Sequence, residues 1–258
     1  MDQRRKILFD QDGVKVSLSY YKAEDDMKLH DHDHLQVSWL LSGDLLETSR
    51  AKDREILMPS VGIKPAGFVH ANNYGRHGAL ILTVGIKPGS PFQDVYLAHD
   101  DWHWTPFVNG NSPSNLPILL SRLIDQKDNE AEAALWDLLA LSSPSGPSKL
   151  KEMPSWLSRV QEQLSDVSAD QDLAALANEA GVHRVYLSRI FTACFGVPPS
   201  VYRARCRVAK AMSSVFRGEP LIEAALGSGF ADQSHFTRQV KSQTGYSPRS
   251  LHQLVCAS

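Results

Sequence analysis

The chain has 258 residues, 42% hydrophobic and 22% charged, with a formal net charge of −2; these are ordinary proportions for a soluble globular protein, and the length favours two domains over one. With 16 Gly and 14 Pro it is neither collagenous nor wholly disordered, and three cysteines without CxxC spacing point to reduced thiols in a cytoplasm, not to disulfides or a zinc knuckle. Charge is uneven: residues 155–258 hold 11 Lys and Arg against 8 Asp and Glu, residues 1–154 hold 16 against 21, so the second part alone is suited to a polyanion, although a solvated helix face would look the same.

In chain order, the basic start Arg4-Arg5-Lys6 has no apolar stretch behind it, so no signal peptide is expected. Val14, Val16, Leu18 and Tyr20 alternate with polar residues, as do Leu35, Val37, Trp39 and Leu41; each run predicts a half-buried strand. Short strands punctuated by Ser42-Gly43-Asp44, Pro65-Ala66-Gly67 and Lys87-Pro88-Gly89 predict an antiparallel sandwich or small barrel. The longest apolar run, Ala79–Ile86, is strand-sized and far short of the ~18 residues of a membrane helix. Between the two predicted strands lies His30-Asp31-His32-Asp33-His34. On a strand His30, His32 and Gln36 would share one face, and two histidines with a third ligand suit Zn, Fe, Ni or Mn. Equally, the histidines would hydrogen-bond an organic ligand or each other. Trp39, Tyr74, Trp102, Trp104 and Phe107 are candidate pocket walls, and core packing explains each as well. His34, His99 and His103 are expected on loops or edges.

Residues 118–141 carry leucines at helical spacing and predict a helical pair. Its Leu120, Leu123, Leu135, Leu138 and Leu139 are expected to form a symmetric dimer seam. The Ser/Pro/Gly run from Ser142 to Ser148 reads as a linker, so the expected division is 1–141, a linker over 142–154, and an all-α domain over 155–258. That domain repeats itself at an offset of 49 residues. Leu187-Ser188-Arg189-Ile190-Phe191 aligns with Phe236-Thr237-Arg238-Gln239-Val240, Gly196 with Gly245, and Pro199 with Pro248. Each copy follows a short helical pattern and a glycine turn, the plan of a helix-turn-helix. Packed helical hairpins would share it, but would leave Arg184, Ser188 and Arg189, and Gln233, Ser234, His235, Thr237 and Arg238, without a role. Arg suits guanine and Gln suits adenine in the major groove, whereas hydroxyls and Lys241 suit phosphates. No GxSxG, GxxxxGK[ST], GxGxxG or HExxH motif is present, and no enzyme is expected on that ground.

Gly229-Phe230-Ala231-Asp232-Gln233-Ser234-His235-Phe236-Thr237-Arg238 with Lys241, Gly245 and Pro248 resembles the AraC/XylS transcription regulators, and the first copy is similar in the same register. The resemblance implies sequence-specific binding of double-stranded DNA by a seven-helix domain whose two motifs are joined by a helix over Ser200–Phe216. It implies base contacts from Val185, Ser188 and Arg189, and from Gln233, Ser234, His235 and Arg238. Arg207 on the joining helix is expected at a phosphate, and Val185 at a thymine methyl. The partners it implies are a homodimeric copy, a small-molecule effector and, for an activator, RNA polymerase. His183 stands where the family usually has a capping Ser, so the helix after it is expected to be loosely held.

His30, His32, Gln36 and Gly43, then Pro65 to His70, resemble the two cupin motifs. This implies a cupin-like barrel with His30, His32, Gln36 and His70 at an effector or divalent-metal site. Gln36 replaces the usual Glu, Ser60 a Gly and Tyr74 an Asn. The expected whole is an α+β chain: a cupin-like antiparallel barrel with a helical pair, then a double helix-turn-helix domain. A cupin metalloenzyme or metal sensor fused to that domain is the alternative.

Overall fold

The computed structural model describes residues 4–50, 53–57, 60–90, 102–106, 120–123, 135, 139, 153–167 and 172–256. Eight strands come first: β1 (Arg4–Gln11), β2 (Val14–Tyr21), β3 (Asp26–His30), β4 (Leu35–Ser49), β5 (Asp53–Ile56), β6 (Ser60–Lys64), β7 (His70–Ile86) and β8 (His103–Pro106). They form one sheet in the order β1-β2-β7-β4-β6-β8, with β3 on β7 and β5 on β4. Every pairing is antiparallel.

The long strands β4 and β7 let the sheet wrap. Their pairing slips at Leu40/Ser42 and again at Gly43/Leu45, and such bulges bend a strand and raise its twist. Gly43 (φ 89°) sits at the bend, where a Cβ would stand 1.9 Å from the Gly78 carbonyl oxygen. No side chain fits there.

Alternation along the central strands gives two different faces. Val16, Leu18 and Tyr20, Val37, Trp39 and Leu41, and Leu80, Leu82 and Val84 pack in one apolar cluster. The intervening Ser17, Ser19, Gln36, Ser38, Ile81, Thr83 and Gly85 line an internal cavity. The half-buried strand expected over 14–20 is therefore buried on both faces: its serines are also inaccessible, because they meet the cavity wall instead of solvent.

Among the described residues from 153 onward seven helices follow: α1 (Ser155–Ser165), α2 (Leu173–Glu179), α3 (Arg184–Phe195), α4 (Pro199–Phe216), α5 (Leu221–Leu226), α6 (Gln233–Thr244) and α7 (Pro248–Cys256). They build two cores. Leu157, Val160, Leu176, Leu187, Phe191 and Tyr202 close the first around α1–α3. Met212, Val215, Phe216, Ala225, Phe230, Phe236, Val240 and Leu251 close the second, and this one is continuous with the apolar face of the sheet. Tyr20 stacks on Phe216 with ring centroids 4.0 Å apart and donates to Ser213 Oγ at 3.1 Å, while Arg4 donates to the Phe216 carbonyl and reaches Cys256 Sγ at 3.0 Å.

Leu120, Leu123, Leu135 and Leu139 lie in the same continuous core and are 0–2% exposed. This corrects the expected dimer seam: side chains already covered by their own chain cannot meet a second copy. Leu138, Phe107, His99 and residues 142–152 lie outside the described residues. Among the described residues no helix is long and apolar enough to cross a membrane.

Candidate ligand cavity and nucleic-acid interface

The cavity inside the sheet measures about 620 Å³, within the ordinary range for small-molecule sites. His30, His32 and His70 converge on it, each offering a ring nitrogen within 4.8 Å of the others. They do not meet by strand parity as expected. β3 ends at His30, His32 lies in the connecting segment, and Gln36 belongs to β4; the Gly67 amide, donating to the His32 carbonyl at 2.7 Å, ties that segment to the turn before His70. Gln36 lines the same cavity, and so does His34, to which the sequence assigned nothing. The His34 ring lies where a Cβ on Gly85 would be, 2.7 Å from its Cδ2. His103 is on the edge strand β8.

Hydrogen bonds set the histidines' chemistry. His30 Nδ1 lies 2.8 Å from the Lys28 carbonyl and His70 Nδ1 3.1 Å from that of Phe68. A carbonyl can only accept, so both rings carry their proton on Nδ1 and leave Nε2 with a lone pair. Burial lowers the pKa of His32 and of His70 to about 4, helped by the neighbouring histidines at the first and by Lys64 at the second. His32 and His70 are therefore neutral imidazoles at pH 7.

Beside them is a charged pair that pattern reading missed. Lys64 Nζ lies 2.7 Å from Glu47 Oε2, with side chains 5% and 0% exposed. Glu47 also accepts from Trp104 Nε1 at 2.9 Å and from Trp102 Nε1. Burial pushes its pKa up, but the Lys64 ammonium and the hydrogen bonds from Lys64 and Trp104 outweigh this and hold it below the usual carboxylate range. The available signal was a charge at an inward parity, since Leu45 and Glu47 both point into the cavity. Of the candidate wall aromatics, Trp104 and Tyr74 line the cavity. Trp39 is fully buried on the other face, and Trp102 stacks on Phe68 at 5.4 Å.

In the helical half, α3 and α6 are both 12 residues long and begin 49 residues apart. His183 Nδ1 caps α3 by accepting from the Val185 amide at 3.3 Å, and Asp232 Oδ1 caps α6 by accepting from the His235 amide at 2.6 Å. The turn expected to be loose at His183 is thus capped, by the longer of the two bonds. Gly196 (φ 74°) and Gly245 (φ 81°) end the two helices in the left-handed conformation, which L side chains resist. Leu187 and Phe191, like Phe236 and Val240, turn inward, leaving a polar face outside on α6 and a mixed one on α3, where Val185 and Tyr186 are exposed beside Arg184 and Arg189.

Residues 176–253 match the family model of a helix-turn-helix domain. They form a helix-turn-helix domain. No curated protein matches the chain. Among solved structures it is similar to ToxT from Vibrio cholerae (14% identity, covering 96% of this chain and 100% of that one, TM-score 0.40). It is also similar to the C-terminal domain of AraT, a response regulator from Geobacillus stearothermophilus (24% identity, 40% and 88% covered, TM-score 0.37). A third is a cupin superfamily protein from Desulfitobacterium hafniense (17% identity, 33% and 78% covered, TM-score 0.31). The likeness is loose at these scores.

On the helix-turn-helix domain, Arg184, Val185 and Arg189 of α3 and Gln233, Ser234, Arg238 and Lys241 of α6 are exposed, whereas Ser188, His235 and Thr237 are half-buried. The His235 ring meets Phe230 edge-on with centroids 5.3 Å apart, so it packs as well as faces outward. Arg207 does not extend freely from the joining helix: its Nε lies 3.3 Å from the position of a Cβ on Gly229, in the turn before α6. Tyr186, 50% exposed beside Val185 at 46%, was passed over in the sequence because a lone tyrosine at helical spacing reads as core.

Proposed function

We propose that the protein is a one-component transcription regulator and not an enzyme, with its sheet cavity holding a small-molecule effector and its AraC-type domain reading double-stranded DNA. Arg184, Val185, Ser188 and Arg189 read one major-groove segment, and Gln233, Ser234, His235 and Arg238 a second. Thr237 and Lys241 meet phosphates. The observation that carries the reading is the pair of equal-length, capped helices repeated at one offset, both with arginines on the exposed face. A homodimer on two half-sites and, for an activator, contact with RNA polymerase complete the reading. The dimer contact lies elsewhere than at Leu120, Leu123, Leu135 and Leu139.

Binding curves with a duplex selected from a randomised pool, and with its scrambled counterpart, test the DNA assignment. Arg189→Ala and Arg238→Ala should each cost ~1–3 kcal/mol on the selected duplex and far less on the scrambled one. Equal losses on both duplexes would remove these residues from base reading.

A second reading is favoured by the histidine geometry: a divalent metal on His30, His32 and His70. Their nitrogens are close enough, and the rings of His30 and His70 are held by backbone carbonyls in the way metal-binding histidines are, so the residues fit. A bound metal would offer the effector a coordination point, and Gln36 would supply only a neutral oxygen. Calorimetry with Zn²⁺, Ni²⁺ and Mn²⁺ should then show heat that His70→Ala abolishes and Gln36→Glu strengthens, since a carboxylate adds Coulomb attraction. No heat from the parent or from Gln36→Glu, with the fold intact by circular dichroism, leaves the histidines as polar groups for an organic effector.

A further inference from the structure

The two helical cores meet the sheet in different ways. The second shares an apolar core with it. The first, around α1–α3, takes Leu57 of the strand side against its core and otherwise faces the sheet across a cleft of about 330 Å³ lined by polar and apolar groups. Ser42, Asp44, Glu55, Arg76 and His77 come from β4, β5 and β7, and Gln161, Tyr202, Arg205 and Cys206 from α1 and α4; Gln243, near the end of α6, also lines it.

The deep polar groups of this cleft are not matched to one another. Ser42 is only 7% exposed, and its Oγ has no hydrogen-bond partner; His77 Nε2 and Arg205 Nη1 are likewise buried without one. Among the described residues Asp44 has no ion pair or hydrogen bond; burial raises its pKa to about 6, reinforced by Glu55 and opposed by Arg76. Burial lowers Arg205 to about 10. The carboxylate and the guanidinium lie on opposite walls, one on the sheet and the other on α4, too far apart to pair. Each unpaired buried charge costs free energy that a partner of opposite sign would recover. The backbone presses close at Asp44: a Cβ on Gly75 would sit 1.6 Å from its Oδ2, so the carboxylate has its place by virtue of a missing side chain.

We propose that this cleft is a ligand site for a small zwitterion, an α- or ω-amino acid, with its ammonium on Asp44 and His77 Nε2 and its carboxylate on Arg205. The chemistry follows from the walls. Asp44 is an acceptor. His77, whose ring is held by the backbone of Ser165 and is neutral, accepts at Nε2. Arg205 only donates. A molecule with both charges bridges the sheet to the first helix-turn-helix unit, whose apolar core touches the strand side at Leu57. Its binding therefore stiffens the joint that sets the spacing of α3 from α6. The site is separate from the sheet cavity and does not depend on what that cavity holds.

The test is thermal denaturation and calorimetry of the full chain near neutral pH. The probes are the standard α-amino acids, β-alanine, γ-aminobutyrate and 5-aminovalerate, each at millimolar concentration, with butylamine and butyrate as single-charge controls. At least one zwitterion should raise the melting temperature through preferential binding to the folded state, and neither single-charge control should. Asp44→Asn and Arg205→Gln should each weaken that zwitterion at least tenfold. Asp44→Asn removes a buried charge and keeps the shape, so it remains folded. Gln36→Glu, in the sheet cavity, should leave the binding unchanged. Absence of a shift with every zwitterion, binding that survives both cleft variants, or binding lost in Gln36→Glu would each overturn the proposal.

Discussion

Replacing Lys64 by Met probes the charged pair on the cavity floor. The methionine fills nearly the same volume and removes the ammonium 2.7 Å from Glu47, a carboxylate that is 0% exposed. Exposed ion pairs contribute ~1 kcal/mol or less. Removing one partner of a buried pair costs ~3–5 kcal/mol, because the other charge stays behind in a poor solvent. Trp102 and Trp104 still donate to Glu47 in the variant, which puts the expected loss near the lower end, about 3 kcal/mol. For a chain of this size that lowers the melting temperature by roughly 6–12 °C. The pH dependence should also change sign. In the parent, Glu47 has a depressed pKa, so its contribution is present above the unfolded value of 4.5 and lost as pH falls through the folded value. In Lys64→Met, burial dominates, the pKa of Glu47 rises, and stability improves as the solution is acidified toward pH 5. The double variant Lys64→Met/Glu47→Gln should recover most of the loss. Differential scanning calorimetry of the three proteins between pH 5 and pH 8 measures all three effects. A Lys64→Met loss below about 1 kcal/mol, or a double variant no better than the single, would refute a charge buried by its partner.

Two further outcomes follow from the backbone. Asp232→Ala should destabilise by ~0.5–2 kcal/mol in urea unfolding, while His183→Ser should be neutral or slightly stabilising, because the 2.6 Å cap at α6 is the stronger of the two. Gly43→Ala should leave little folded protein by circular dichroism, since the new methyl would stand 1.9 Å from a carbonyl oxygen at a positive φ; a stable, soluble variant would mean that the strands are not bent there.

What the sequence disclosed depended on whether function rested on spacing or on enclosure. The repeat from Leu187 to Gly196 and from Phe236 to Gly245 was legible because each position has one steric or apolar duty at a fixed helical interval. The cavity-facing serines of β2 were not: alternation of Val16, Ser17, Leu18 and Ser19 is the same whether the polar face meets water or a pocket, and only closure of the sheet decides. His30, His32 and Gln36 were grouped for a mistaken reason, parity along a strand that in fact ends at His30, and His70 was named only through the cupin resemblance. Glu47 and Lys64 were missed because they are distant in sequence and pair only once β4 lies beside β6. The leucines of 118–141 have the same periodicity whether they cover their own core or a second subunit, and the structure assigns them to the former.

The β2 strand is a partition one residue thick. Ser17 and Ser19 form part of the cavity wall, and Leu18 and Tyr20, their immediate neighbours, belong to the surface on which Phe216 and Ser213 rest. A substitution made to retune the cavity acts on the same peptide units that seat the joining helix. Exchanging ligand-binding halves between proteins of this build therefore requires the far side of this strand to travel with its bed on α4, or the graft will bind its new molecule and report nothing.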